Sequence, residues 1–302
     1  MKCEDSRELF SRQTKIRGFL LYMDRMAIMA VDDFEKRGNK MIYVSHLLPD
    51  REMAEVLEQT GAGIESIDFS IAENLDNLKE NILDYRGRLR AMGAEHLTIH
   101  GPFLDLNPMT FDSRIRQATM LRYAQAYEAA AELGAEKIVC HTCYHPDIYL
   151  LTGWAQRTAE FYQEFLENRK GIKVVLENVF DRTWEPMLEA VLLVKSPDFD
   201  ICLDIGHAHC YSPKPTEDWV NGLKEHISHI HVHDNLGDRD SHMALGQGNI
   251  PLEKALLPLL LENPSATFTI ECGEKEAVLK SWEKIRKLKT HTENFLAITN
   301  KI

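Results

Sequence analysis

Short apolar runs recur along this chain, and nearly every one ends at, or just before, a residue able to bind a metal ion. HLTIH, KIVCH, KVVLE, DICLD, SHIHVH and TFTIE are the clearest. Continuous apolar runs of this kind mark parallel strands buried on both faces. MIYVSHLL, just after Lys40, reads as the first strand, and the alternating stretch Ile64–Ile71 as the second. The strands that follow are His96–His100, Lys137–His141, Ile172–Glu177, Asp200–Asp204, Ile227–His233 and Thr267–Glu271. Helical spacing fills the intervals. Pro49-Asp50 opens a helix through Gln59, with Asp50 suited to cap its first free amides. Helices over Asn74–Met92 and Ser113–Leu133 stop at Gly93 and Gly134. Others are predicted over about Gly153–Asn168, Trp184–Val194 and Asp218–Glu225, with one or two basic amphipathic helices at the end.

Eight strands alternating with about eight helices predict an α/β fold, a single (β/α)8 TIM barrel over residues 39–302. Residues 1–38 are mixed-charge and Met-rich. They read as an N-terminal helical extension outside the barrel, with an amphipathic helix over about Ser6–Lys36. In such a barrel the groups that do chemistry sit at the carboxyl ends of the strands. Nine residues keep that phase: His100, His141, Glu177, Asp204, His207, His231, Asp240, His242 and Glu271. They point to a metal centre at the barrel mouth.

Composition narrows the picture. The chain has 302 residues, 44% of them hydrophobic, enough for one large core. A formal net charge of −12 repels polyphosphate and argues against a nucleic-acid partner, although bound divalent ions cancel some of that charge locally. No apolar run reaches membrane-spanning length and the start lacks the pattern of a secretory leader, so no membrane partner is expected. Six cysteines then read as free thiols in a reducing cytoplasm. Cys140 and Cys143 form a lone Cys-x-x-Cys around His141. Without a second pair, packing at a strand end outweighs a redox or zinc-knuckle role. The basic run Lys280–Lys289 has helical spacing and reads as a solvated face. Nothing in the sequence sets the number of chains, and a homo-oligomer stays open.

Divalent metals in enzymes take imidazole nitrogen and carboxylate oxygen. Glu177, Asp204, His231 and Glu271 all sit where they point inward and would converge on one ion. A single glutamate at a strand end reads equally well as a helix cap or ion-pair partner; four residues in phase argue against coincidence.

HGPFLDLNP, VVLEN, DIGHAH, HVHDN followed by DSHMALGQGNI, and TIE together resemble the xylose isomerase-like barrel superfamily. It holds sugar isomerases and epimerases and the endonuclease IV group, also called AP endonuclease family 2. The resemblance covers roughly residues 40 to 290. Its epimerase branch implies Glu177, Asp204, His231 and Glu271 as ligands of Mn, Zn, Mg or Co, with Glu177 and Glu271 as the catalytic acid/base pair. His100, His141, His207 and His233 would then bind substrate. The implied function is a metal-dependent sugar or sugar phosphate isomerase or epimerase, moving a proton through a metal-stabilised enediolate. Its endonuclease branch implies a multinuclear site that adds His100, His141, His207, Asp240 and His242, and a phosphodiesterase acting at abasic DNA sites.

Departures from the endonuclease pattern favour the small substrate. Thr142-Cys143-Tyr144 follows His141 where Pro-Gly-Ser is usual, Ile205-Gly206 replaces Thr-Cys, and His233 stands where Asn is usual. No loop combines several Arg or Lys with aromatic wedges. Phe103, Tyr144, Trp154 and Trp184 follow strand ends and are candidates to wall a sugar pocket. Gly246-Gln247-Gly248 reads as a turn before a phosphate cradle. His46, His145 and His209 have no supporting pattern.

Overall fold

The computed structural model describes residues 41–263 and 265–299, so the expected extension and its helix over Ser6–Lys36 lie outside the described residues. The strands are β1 (Ile42–Ser45), β2 (Gly63–Ser66), β3 (Leu97–His100), β4 (Lys137–His141), β5 (Lys173–Glu177), β6 (Phe199–Asp204), β7 (Ile227–Val232) and β8 (Thr267–Ile270). All pair in parallel in chain order, and β8 returns to β1 to close the barrel. The helices are α1 (Asp50–Thr60), α2 (Ala72–Asp76), α3 (Leu78–Met92), α4 (Ser113–Leu133), α5 (Trp154–Leu166), α6 (Glu185–Val194), α7 (Ile205–Tyr211), α8 (Thr216–Leu223), α9 (Leu252–Glu262) and α10 (Lys275–Thr299). Among the described residues no helix is long and apolar enough to cross a membrane.

Several differences from the sequence reading fall early in the barrel, and α7 and α9 were not expected at all. β2 stops at Ser66, because the Asp68 amide donates to Ser66 Oγ at 3.2 Å and a single 3-10 turn, Asp68–Ser70, follows. The helix expected over Asn74–Met92 divides at Asn77. Asp50 does not cap α1; it lies inside the first turn, where Arg88 grips its carboxylate at 2.8 and 2.9 Å. A side chain that does cap a helix is Asp112, accepting from the amides of Arg114 and Ile115 at 2.7 and 3.2 Å at the start of α4.

Between helices and sheet lies an aromatic core, with Tyr123 of α4 against Phe161, Tyr162 and Phe165 of α5, and Tyr162 against Phe199. Inside the barrel the filling is divided. Val139, Val175 and Cys202 form a small apolar plug. Beside it the interior is polar, with Glu65, Thr98, His229 and Thr269 all fully buried and hydrogen-bonded to one another.

Asp200 gives this layout a measurable consequence. Burial lifts its carboxyl to about 6, with Lys173 and His226 pulling it only partly back. Unfolded, it returns to about 3.9. The folded chain therefore holds this proton more tightly, a contribution to stability that is complete below about pH 4 and lost as pH rises through about 6. Asp200→Asn is expected to gain on the parent by about 2 kcal/mol between pH 4 and pH 8 in urea denaturation. A stability difference that does not change with pH would contradict this.

Candidate metal centre

The strand ends bring the nine candidate residues, together with His233, into three adjoining sets. His100, His141 and Glu177 form the first, Glu177, Asp204, His231 and Glu271 the second, and His207, His233, Asp240 and His242 the third. Within each set one donor atom per residue lies within 4.8 Å of every other. Glu177 belongs to two sets, and Asp204 approaches the third through His233 Nε2 at 3.2 Å.

Local contacts aim these side chains. Asn178 joins the tips of β5 and β6, donating through Nδ2 to the Asp204 carbonyl and accepting the Asp204 amide through Oδ1, both at 2.9 Å. Asp204 accepts the His207 amide at 2.6 Å and so caps α7, a helix that begins directly at the strand end. Asp234 pairs with Met243 through two backbone hydrogen bonds of 2.8 Å, and its carboxylate accepts the amides of Gly246 and Ile250. This clasp presents Asp240 and His242 to the mouth. A Cβ at Gly248 would lie 2.2 Å from the Asn235 carbonyl oxygen, so Gly246-Gln247-Gly248 is a structural turn packed on the clasp.

Three histidines share one mode of orientation. His100, His207 and His242 each place Nδ1 on a backbone carbonyl, those of Gly101, Asn178 and Glu271, at 3.0, 2.9 and 2.8 Å. Each Nδ1–H donates there, which leaves the Nε2 lone pair facing its set. His100 Nε2 then lies 3.1 Å from His141 Nε2, with Glu177 Oε2 at 3.5 and 3.3 Å from the two nitrogens. His207 Nε2 and His242 Nε2 lie 3.2 and 3.0 Å from Asp240 Oδ2. His231 is turned the other way: its Nδ1 meets Glu177 Oε1 at 3.2 Å, Glu271 Oε1 at 3.3 Å and Asp204 Oδ2 at 4.0 Å.

The donor chemistry fits divalent cations. Buried imidazole lone pairs aimed at carboxylate oxygens repel unless a proton or a metal ion lies between them. Glu177 Oε2 and Asp240 Oδ1 are buried without a hydrogen-bond partner. The mixture of imidazole and carboxylate is what Zn and Mn accept.

The electrostatics reflect the same crowding. Burial raises Glu177, but His231, His141 and His100 outweigh it and hold its carboxyl well below the usual range. Burial raises Asp204 too, and His207 and His233 reverse it. Glu271 goes the other way: burial lifts it, His231 pulls back only in part, and Glu177, Asp204 and Glu65 add to the rise. Against burial, Asp204, Asp240 and Glu177 raise His207 well above its ordinary value. Burial lowers His141, and Glu177 does not fully compensate.

His233 and Gly206 fit together. A Cβ at Gly206 would lie 2.0 Å from the His233 ring, so the ring fills the space a side chain there would need. It stacks on His242 with centroids 4.1 Å apart. Gly206→Ala is expected to force this ring out and cost about 1–3 kcal/mol, read as a lowered melting temperature. An unchanged melting curve would mean the ring has room to move.

Two candidate wall residues lie elsewhere. Trp154 is fully buried and packs on Tyr144, while Trp184 packs over Gly222 on the outer layer. Phe103 stacks on His141 at 4.3 Å and, with Tyr144, Tyr149 and Phe180, lines a cavity of about 400 Å³ beside the first set. His46 packs against Tyr85, and His209 holds Asn249 at 2.7 Å. Glu65 and His229 were not foreseen. One signal for His229 was available, since it shares a strand face with His231 and His233.

An eight-stranded parallel barrel with clustered imidazoles and carboxylates at its carboxyl rim defines a TIM barrel with a candidate metal centre. The chain belongs to the xylose isomerase-like TIM barrel family, whose model matches residues 59–288. Uncharacterized protein MJ1311 of Methanocaldococcus jannaschii is 30% identical over 232 residues, covering 72% of this chain and 78% of the relative. A probable endonuclease 4 of Mycobacterium leprae is 26% identical over 203 residues, covering 62% of this chain and 77% of its own. Among solved structures, a D-tagatose 3-epimerase-like protein superposes with a TM-score of 0.71 at 25% identity, covering 85% of this chain and 99% of that one.

Proposed function

We propose that this protein is a divalent-metal-dependent isomerase or epimerase of a sugar or sugar-like polyol ketone. The observation that supports it most is the pair Glu177 and Glu271, whose carboxylates reach the same His231 nitrogen at 3.2 and 3.3 Å from β5 and from the end of β8. Glu177, Asp204, His231 and Glu271 would hold the ion; bound there, it supplies Lewis-acid polarisation of a carbonyl and acidifies the neighbouring C–H. Glu271 is the better base of the pair, since its carboxyl is raised toward the working pH. Glu177 is the second carboxylate; its histidine neighbours hold it ionised, so it would return a proton only after taking one up from solvent. Among the described residues no Lys or Arg lines the cavity over His141, which favours an uncharged sugar over a phosphate. Its rings suit the apolar faces of a sugar.

The test is wash-in of deuterium from heavy water at a ketose C–H, run over a panel of ketoses and their phosphates with added Mn²⁺. Exchange with an unphosphorylated ketose is expected. No exchange anywhere in the panel, together with strong nicking of an abasic oligonucleotide, would overturn the assignment.

A second reading has one observation in its favour: the first and third donor sets adjoin the second, as a multinuclear phosphodiesterase requires. Here His100, His141, His207, Asp240 and His242 would hold further ions, and the abasic-site substrate would be cut by hydrolysis. Metal content per chain separates the two readings, with one ion favouring the first and three the second.

A further inference from the structure

His100, His207 and His242 each have a backbone carbonyl to hold the outward Nδ1–H. His231 has none, and its second nitrogen points down into the barrel. There Glu65 of β2, fully buried, places Oε1 2.9 Å from His231 Nε2. The two atoms are off the straight hydrogen-bond line, yet neither has another hydrogen-bond partner, so each is the other's complement. The opposite oxygen, Oε2, is occupied by the Thr98 hydroxyl at 3.0 Å, the Thr269 hydroxyl at 2.8 Å and His229 Nε2 at 3.0 Å. His229 can donate there because its Nδ1 accepts from the Thr267 hydroxyl. With Oε2 supplied by three donors, the carboxylate cannot turn without breaking them, and Oε1 stays fixed under the imidazole.

We propose that Glu65 is a positioning residue that fixes the proton of His231 on Nε2, so that Nδ1 is the atom offered to a metal ion. The assignment rests on the reading of Glu177, Asp204, His231 and Glu271 as a metal site, and it is independent of which reaction the site performs. Partners that orient a metal-binding histidine in this way are typically worth about 10–100-fold in metal affinity. Glu65 does for His231 what backbone carbonyls do for three of its neighbours.

The experiment measures zinc affinity by competition with a chromophoric chelator, for the parent, Glu65→Gln and Glu65→Leu. Glutamine is expected to weaken zinc by about 10-fold and leucine by about 100-fold. The visible bands of the cobalt-substituted protein should change in both variants, which a loss of packing alone would not produce. Long-range proton–nitrogen spectra of the parent's imidazoles give a second readout that does not depend on variant folding. They should show His231 protonated on Nε2 in the zinc-loaded protein. A proton on Nδ1, or a folded Glu65→Leu with parental zinc affinity and cobalt spectrum, overturns the proposal. A parent that takes up no zinc or cobalt overturns the metal reading on which it rests; an Nε2–H resonance unmoved by Glu65→Gln then overturns the Glu65 contact as well.

Discussion

Glu271→Gln is expected to slow deuterium wash-in at the substrate carbon by about 10³-fold, within the usual range for loss of a general base. Glutamine matches glutamate in size, and the backbone carbonyl at 271 that accepts from His242 Nδ1 is untouched, so the third donor set should keep its shape. What disappears is a carboxylate oxygen 3.3 Å from His231 Nδ1 and a group whose burial keeps its proton affinity high. Loss of one ligand also weakens metal binding. Exchange is therefore compared at saturating Mn²⁺, with metal content measured on the same samples. An unimpaired variant would remove Glu271 from the acid/base role.

Stripping metal with a chelator is expected to destabilise the protein, increasingly so as pH rises. Glu65, Glu177, Asp204 and Glu271 are all buried around His231. In the metal-free chain, charged imidazoles must balance them. Against burial, Asp204 and Asp240 raise His207, and Cys202 followed by Glu271, Glu65 and Glu177 raise His231, both well above the ordinary value, while Asp240 and Glu271 raise His242 to about 9. A raised histidine contributes stability that is complete below its unfolded value of about 6.5 and is lost as pH climbs through the folded value. The metal-free protein should thus lose stability between about pH 7 and pH 9, while the loaded protein should not. At about 1,000 times the dissociation constant, zinc stabilises by about 4 kcal/mol, which for a chain of this size corresponds to about 6 °C in melting temperature. Identical melting with and without chelator at pH 8 would be incompatible with a metal centre.

Much of this architecture was legible because a parallel barrel writes its strands as continuous apolar runs. β4 falls on Lys137–His141 as read, and β6 extends the expected Asp200–Asp204 by one residue. The nine candidate residues were visible for the same reason, since polar groups that end buried runs stand out. β2 was read too long because Ile67 to Ile71 continues an alternating pattern, while the Ser66–Asp68 turn that ends the strand depends on a side-chain hydrogen bond. α7 was missed because its apolar residues follow directly on those of β6. Glu65 was hidden more deeply. A glutamate within an alternating stretch reads as solvent-facing, and only closure of the barrel brings it under His231, 166 positions on by the difference of their residue numbers.

The fit of the His233 ring into the space over Gly206 makes these two positions epistatic. A methyl group at 206 is harmful while histidine occupies 233, and should be tolerated once 233 is cut back to a smaller residue such as asparagine. Engineering of this rim therefore has to change both positions together, and a scan of single substitutions would reject a pairing that the barrel can accept.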